Sequence, residues 1–235
     1  MKKTAVVTGG TKGIGKSIVL HLASNGFEVI TNGRSQSELE ALHAEVLEKT
    51  NNKLFFMRAD FENKNEVFAF AEYVNKTFDK LNILVNNAGI FIPGQSLKEE
   101  DGIYEKEMAI NLTAPYYLTR QLYPLLAKSQ DAYIFNMCST ASFTAYVNGG
   151  SYCISKFGLL GFTKVLREEL KLEKIGVSAI MPGATLTNSW LGTDLPPSHF
   201  MQPENVAHAL WMAWENRSTM VMEEIILRPY PGDIS

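Results

Sequence analysis

Thr4-Ala5-Val6-Val7-Thr8-Gly9-Gly10-Thr11-Lys12-Gly13-Ile14-Gly15 decides how this chain is read. A short apolar run, Thr4–Thr8, passes without a linker into a turn rich in glycine, and a segment of helical period follows near residues 13–25. Glycines let a backbone turn tightly and lie close to a pyrophosphate. The helix behind them offers unpaired N–H groups and the positive end of its dipole. The spacing is Gly-x3-Gly-x-Gly, not the more widespread G-x-G-x-x-G, and an ordinary tight βα turn has a similar look. Its place directly after the first strand favours a phosphate-binding turn.

The same alternation continues outward. Strand patterns fall at Thr4–Thr8, Glu28–Asn32, Lys53–Ala59, Asn82–Asn86, Tyr133–Met137, Val177–Met181 and Glu224–Leu227, with helical patterns near 13–25, 36–49, 63–78, 104–127, 151–172 and 203–215. Runs such as Ile83-Leu84-Val85 are apolar at every position, as in parallel strands covered on both faces. Strands alternating with helices predict an α/β fold: a doubly wound parallel sheet of about seven strands with helices on both faces, as a single domain over 1–235. Ligands of such sheets bind beyond the carboxyl ends of the strands, and every motif below falls at such an end.

Composition narrows the function. The chain has 235 residues, 46% of them apolar, and 22 Lys+Arg against 25 Asp+Glu give a net charge of −3. A nucleic-acid footprint needs a basic face, so no nucleic-acid partner is expected. The apolar run after Met1-Lys2-Lys3 is too short for a signal peptide, and the longest charge-free stretch, Ala132–Ser155, is too rich in Asn, Ser, Thr and Gly for a membrane span. Cys138 and Cys153 lack zinc-site or CxxC spacing and read as reduced, buried residues. The four histidines, His21, His43, His199 and His208, have no paired ligand spacing, so no metal is expected. A cytoplasmic protein follows.

The second strand ends Thr31-Asn32-Gly33-Arg34, without the acid that would hold a ribose 2′-hydroxyl. Arg34 and Lys12 can instead converge on a 2′-phosphate, unless both are ordinary solvated charges. That predicts NADP(H) over NAD(H). Asp60, after the third strand, is placed to accept from an adenine amine. Asn86-Asn87-Ala88-Gly89, after the fourth, lets the backbone lie against the cofactor.

The reacting end lies between residues 111 and 156. Tyr152 and Lys156 stand four apart on one helical segment and so share a face. A neighbouring ammonium favours phenolate and lowers a phenol pKa from about 10. Ser139, at the end of the fifth strand, can point its hydroxyl at the same place.

On these motifs the chain resembles the short-chain dehydrogenase/reductase family, in its short single-domain branch with a Rossmann-type sheet. The resemblance runs through TGGTKGIG at 8–15, Asp60, NNAG at 86–89, Asn111, Ser139, YCISK at 152–156, and Pro182-Gly183 with Thr187. It implies that Tyr152 gives a proton to a substrate carbonyl, that Ser139 hydrogen-bonds the carbonyl oxygen, and that Lys156 lowers the Tyr152 pKa and binds the nicotinamide ribose. Asn111 would hold a water that relays protons to Lys156. Pro182, Gly183, Thr185 and Thr187 would hold the carboxamide. Gly9, Thr11, Lys12, Gly13, Ile14, Gly15, Arg34, Asp60, Asn87, Ala88 and Gly89 would line the rest of the cofactor site.

The segment after the sixth strand, residues 188–202 with Trp190, Leu191, Leu195 and Phe200, is expected to form a short lid, with Tyr146, Phe143 and Trp190 as candidate pocket walls. The ending Glu223-Glu224-Ile225-Ile226-Leu227-Arg228-Pro229 is similar to bacterial sepiapterin reductase-like members, which favours a small free carbonyl substrate. The alternatives are reduction of 3-oxoacyl groups on acyl carrier protein and, in another class, a non-catalytic NADP(H)-binding regulatory module. Asn111, Ser139, Tyr152 and Lys156 together argue for an enzyme. The family's usual dimers or tetramers would pack through 104–127 and 151–172, where Tyr116, Leu118, Leu122, Phe157, Leu160 and Phe162 suit either an interface or the sheet.

Overall fold

The computed structural model describes residues 2–187 and 193–232. Seven strands, β1 (Lys3–Val7), β2 (Phe27–Gly33), β3 (Leu54–Arg58), β4 (Ile83–Asn86), β5 (Tyr133–Met137), β6 (Gly176–Pro182) and β7 (Glu224–Leu227), form one parallel sheet in the order β3-β2-β1-β4-β5-β6-β7. Helices α1 (Gly13–Ser24), α2 (Gln36–Thr50), α3 (Lys64–Thr77), α4 (Ile103–Met108), α5 (Ala114–Leu126), α6 (Gly150–Leu170) and α7 (Pro203–Glu215) cover its two faces. The chain leaves β3 to return on the far side of β1, so β1 and β4 are paired neighbours whose following connections lead away in opposite directions, and a crevice lies beyond their carboxyl ends.

The pleat explains why the central strands are apolar throughout. Ala5, Val7, Ile83, Val85, Tyr133 and Phe135 pack with α1 and α7 on one face. Val6, Leu84 and Ile134, alternating with them, pack with α3 and α5 on the other. All nine side chains are fully buried, and each of the larger ones contributes about 1.5–3 kcal/mol through burial. With both faces covered, no polar alternation survives to mark the strands.

One predicted element is divided. The helical pattern near 104–127 is α4, then a π-turn at Ala109–Thr113, then α5. A π-turn takes up an extra residue by i→i+5 bonding, which hydrophobic period does not register. On α5 and α6, Leu118 and Leu122 are fully buried and Leu160 nearly so, which assigns them to the sheet side, whereas Tyr116 and Phe157 stand exposed. No helix among the described residues is long and apolar enough to cross a membrane.

Candidate active site

The glycine turn is built by contacts that exclude larger side chains. Gly9 (φ +65°) and Gly13 (φ +51°) occupy the left-handed region. A Cβ at Gly15 would run into the Gly9 carbonyl and Asn87 Nδ2. Side chains from neighbouring strands hold the turn from below. Asn32 Oδ1 accepts the Gly9 N–H at 3.1 Å, and Thr31 Oγ1 accepts the Gly10 N–H at 3.1 Å. Thr8 Oγ1 accepts the N–H groups of Asn87 and Ala88, both at 2.9 Å, which ties the first strand end to the fourth. The first turn of α1 carries no acidic residue, so its positive end is open to an anion.

At the reacting end, Ser139 and the Tyr152 phenol line the same stretch of cleft, and the Ser139 hydroxyl accepts the Ala141 N–H at 3.1 Å. Lys156, buried, donates from Nζ to the Met137 carbonyl at 2.7 Å and lies 5.7 Å from the centroid of the Tyr152 ring. The expected lowering of the Tyr152 pKa does not occur in this geometry. Burial outweighs every other influence and pushes the phenol up to about 12, with the Ser139 hydroxyl opposing it. Burial likewise brings Lys156 down to about 8. The result is a phenol that keeps its proton at neutral pH. Cys138, beneath the site, is pushed up to about 11 by burial and is a poor nucleophile.

One cleft of about 850 Å³ joins the two ends. Its walls include Gly9, Thr11, Lys12, Gly13, Ile14, Gly15, Arg34, Asp60, Asn87, Ala88 and Gly89 on the dinucleotide side, and Ser139, Tyr152, Lys156, Pro182, Gly183, Thr185 and Thr187 on the reacting side. Thr187 comes against Gly13, its Cγ2 being 3.1 Å from where a Cβ would stand there, so the sixth strand end closes onto the first. Lys12 is paired with Glu38 at 2.6 Å, whereas Arg34 has no ion-pair partner among the described residues. Asn111 sits in the π-turn behind the wall. Its Oδ1 accepts the Ile90 N–H at 2.9 Å, and its Nδ2 donates to Ile90 O and Ser155 Oγ, both at 3.0 Å.

Two expectations about the substrate end change. Phe143 does not line the cleft, because its ring is turned to the Arg228 guanidinium, 5.6 Å away. Phe200 is buried and does not face the cleft either. Residues 188–192 of the expected lid, Trp190 and Leu191 included, lie outside the described residues. Its far end is fixed at Met201, which donates to Ala184 O at 3.0 Å and accepts from Leu186 N at 2.8 Å. Tyr146 does line the cleft, as does Phe91, whose ring meets that of Tyr152 edge to face with centroids 4.9 Å apart. Phe91, Glu99 and Glu107 are the site residues that sequence reasoning passed over. Glu99 accepts the Ser151 N–H at 2.9 Å and also the Ser151 hydroxyl, and so fixes the start of α6 beneath Tyr152.

A glycine cradle at a helix start, joined in one cleft to a Ser-Tyr-Lys set, defines an α/β dinucleotide-dependent oxidoreductase. The family model described as short chain dehydrogenase matches residues 3–193, and the chain belongs to that family. Sepiapterin reductase of Chlorobaculum tepidum is 31% identical over 245 residues, covering 100% of this chain and 99% of that one. A 3-oxoacyl-(acyl-carrier-protein) reductase of Aquifex aeolicus is 29% identical, covering 95% and 94%. Among solved structures, a metagenomic short-chain oxidoreductase in complex with NADP has a TM-score of 0.84 at 27% identity, covering 97% of this chain and 96% of that chain. L-sorbose reductase of Gluconobacter frateurii, complexed with NADPH and L-sorbose, has a TM-score of 0.90 at 24% identity over 97% and 95%.

Proposed function

We propose that this protein is an NADPH-dependent reductase of a small carbonyl compound, a ketone or diketone of the sepiapterin type, yielding the alcohol. The observation that carries the reading is the single cleft in which Arg34 and the glycine turn stand at one end and Ser139, Tyr152 and Lys156 at the other. The residues present fit the dinucleotide: the left-handed glycines and the acid-free start of α1 suit a pyrophosphate, and the exposed Arg34 in the cleft wall suits a 2′-phosphate. When bound, the nicotinamide supplies the hydride.

The chain supplies the rest. Ser139 and Tyr152 hold the carbonyl oxygen, and Tyr152 delivers its proton as negative charge develops there. A phenol kept protonated near neutrality suits reduction better than alcohol oxidation. Lys156, brought down to about 8, is still mostly ammonium at neutral pH and is able to hand a proton on to the phenolate left behind. Asn111 brackets the 90–92 wall to α6 and stands next to Lys156 across Gly89.

Similarity to the Aquifex enzyme supports a second substrate reading, a 3-oxoacyl thioester, but the net charge of −3 offers no general attraction to an acidic carrier protein. The exposed Tyr116 and Phe157 support assembly as a homodimer or homotetramer, and the two free, buried cysteines suit a cytoplasmic enzyme. The test is loss of NADPH absorbance on adding sepiapterin, simple diketones or an acetoacetyl thioester. Turnover that falls by about a thousandfold in Tyr152→Phe is expected. Undiminished turnover in that variant rejects the donor assignment, and a thioester reduced in preference to every free carbonyl selects the second substrate.

A further inference from the structure

Glu107 and Lys156 are the only charged side chains buried among the described residues, and both are at this site. Glu107, fully buried in the last turn of α4, accepts the Ile92 N–H through Oε1 at 2.8 Å, while its Oε2 has no hydrogen-bond partner. One helical turn on, Asn111 grips Ile90 in the same way. Between these two anchors lies Phe91, which packs against the Tyr152 ring. A wall segment needs only a neutral acceptor to hold its N–H, so a buried acid with one idle oxygen exceeds what anchoring demands.

We propose that Glu107 is a positioning residue acting through Tyr152 and Lys156: its carboxyl holds the 90–92 wall against the Tyr152 ring, and its negative charge adds to the burial that keeps Tyr152 protonated. This rests on the reading of Tyr152 as proton donor. The groups that face Glu107 are Glu99 from the preceding loop, Tyr146 from the loop before α6, and Tyr152, Cys153 and Lys156 from α6. Its helix neighbour Lys106 is paired away with Glu62 at 3.1 Å. Burial, the largest influence, raises the Glu107 carboxyl to about 7, with the Ile92 hydrogen bond opposing the rise, Glu99 adding to it and Lys156 opposing it. Glu107 is therefore an anion on the alkaline side of neutrality. There it makes phenolate at Tyr152 less favourable and ammonium at Lys156 more so.

Glu107→Gln keeps an acceptor for Ile92 and removes the charge, whereas Glu107→Leu removes both. The readouts are the pH profile of kcat for NADPH-dependent reduction and the near-ultraviolet phenolate titration of Tyr152. The titration is taken as a difference from the same background carrying Tyr152→Phe, and it needs no substrate. In Glu107→Gln, kcat on the acid side of neutrality stays within about threefold of the parent, while the alkaline limb and the phenolate midpoint both move down by roughly one pH unit. In Glu107→Leu, kcat falls by about tenfold or more at every pH as the wall loosens. Superimposable alkaline limbs and phenolate titrations for the Gln variant and its parent overturn the electrostatic role, and a Leu variant with full acid-side kcat overturns the positioning role. If Tyr152→Phe is inactive while Glu107→Gln is unshifted, only this inference fails; if Tyr152→Phe remains active, the donor reading fails with it.

Discussion

Arg34 leaves the end of β2 exposed on the cleft wall, while its near neighbour Asn32 turns inward, donating to the Ala59 carbonyl at 3.1 Å and accepting the Gly9 N–H. The strand end therefore separates two tasks: the amide shapes the turn, and the guanidinium stays free for a ligand. Charge-assisted hydrogen bonds are worth about 1.5–3 kcal/mol, so Arg34→Ala should raise the KM for NADPH by roughly 10–100-fold and leave that for NADH nearly unchanged. Steady-state kinetics with both cofactors decides it, and an unchanged NADPH value removes Arg34 from the site. Lys12→Ala should have a smaller effect, because its ammonium is already shared with Glu38. Reading Arg34 from the sequence was possible because a strand end with no acid is visible in the letters themselves.

Among the elements, the β1–α1 turn is the most tightly specified. With the Gly9 carbonyl and Asn87 amide pressed on Gly15, Gly15→Ala must move one of them, and NADPH affinity measured by calorimetry should fall about tenfold or more while the helical circular dichroism stays. Retained affinity would show that the turn yields easily. Most of this framework was legible: β5 and β7 fall at the predicted residues, and the other strands shift by no more than one residue at either end, where pairing and not pattern sets the limit. Three things were not legible. The π-turn leaves the hydrophobic period unbroken on either side, so Asn111 was found through motif order and not through geometry. Glu107 looks in sequence like any acid in a polar helix, because nothing local reveals that Ile92 and Tyr152 will close over it. The Tyr152–Lys156 spacing gave their shared helix face correctly, but burial, a property of the assembled site, is the largest influence on the phenol's acidity.

At the scale of the whole molecule, α6 presents Ile154, Phe157 and Val165 to solvent at three- and four-residue steps around Gly161, and Tyr116 and Tyr123 of α5 are exposed as well. The open surface at Gly161 lets another helix approach closely. If the proposed homodimer or homotetramer packs through this face, Phe157→Glu should sediment as a monomer where the parent does not, and an unaltered boundary would remove this face from any assembly. The sheet order carries a consequence for synthesis. One edge of β1 meets β2 at residues 27–31, but the other waits for Ile83–Val85. At roughly 5–20 residues per second, a ribosome takes about four to fifteen seconds to deliver them. Throughout that interval Ala5-Val6-Val7, later in the core at the middle of the sheet, is an unpaired apolar edge open to any neighbouring nascent chain.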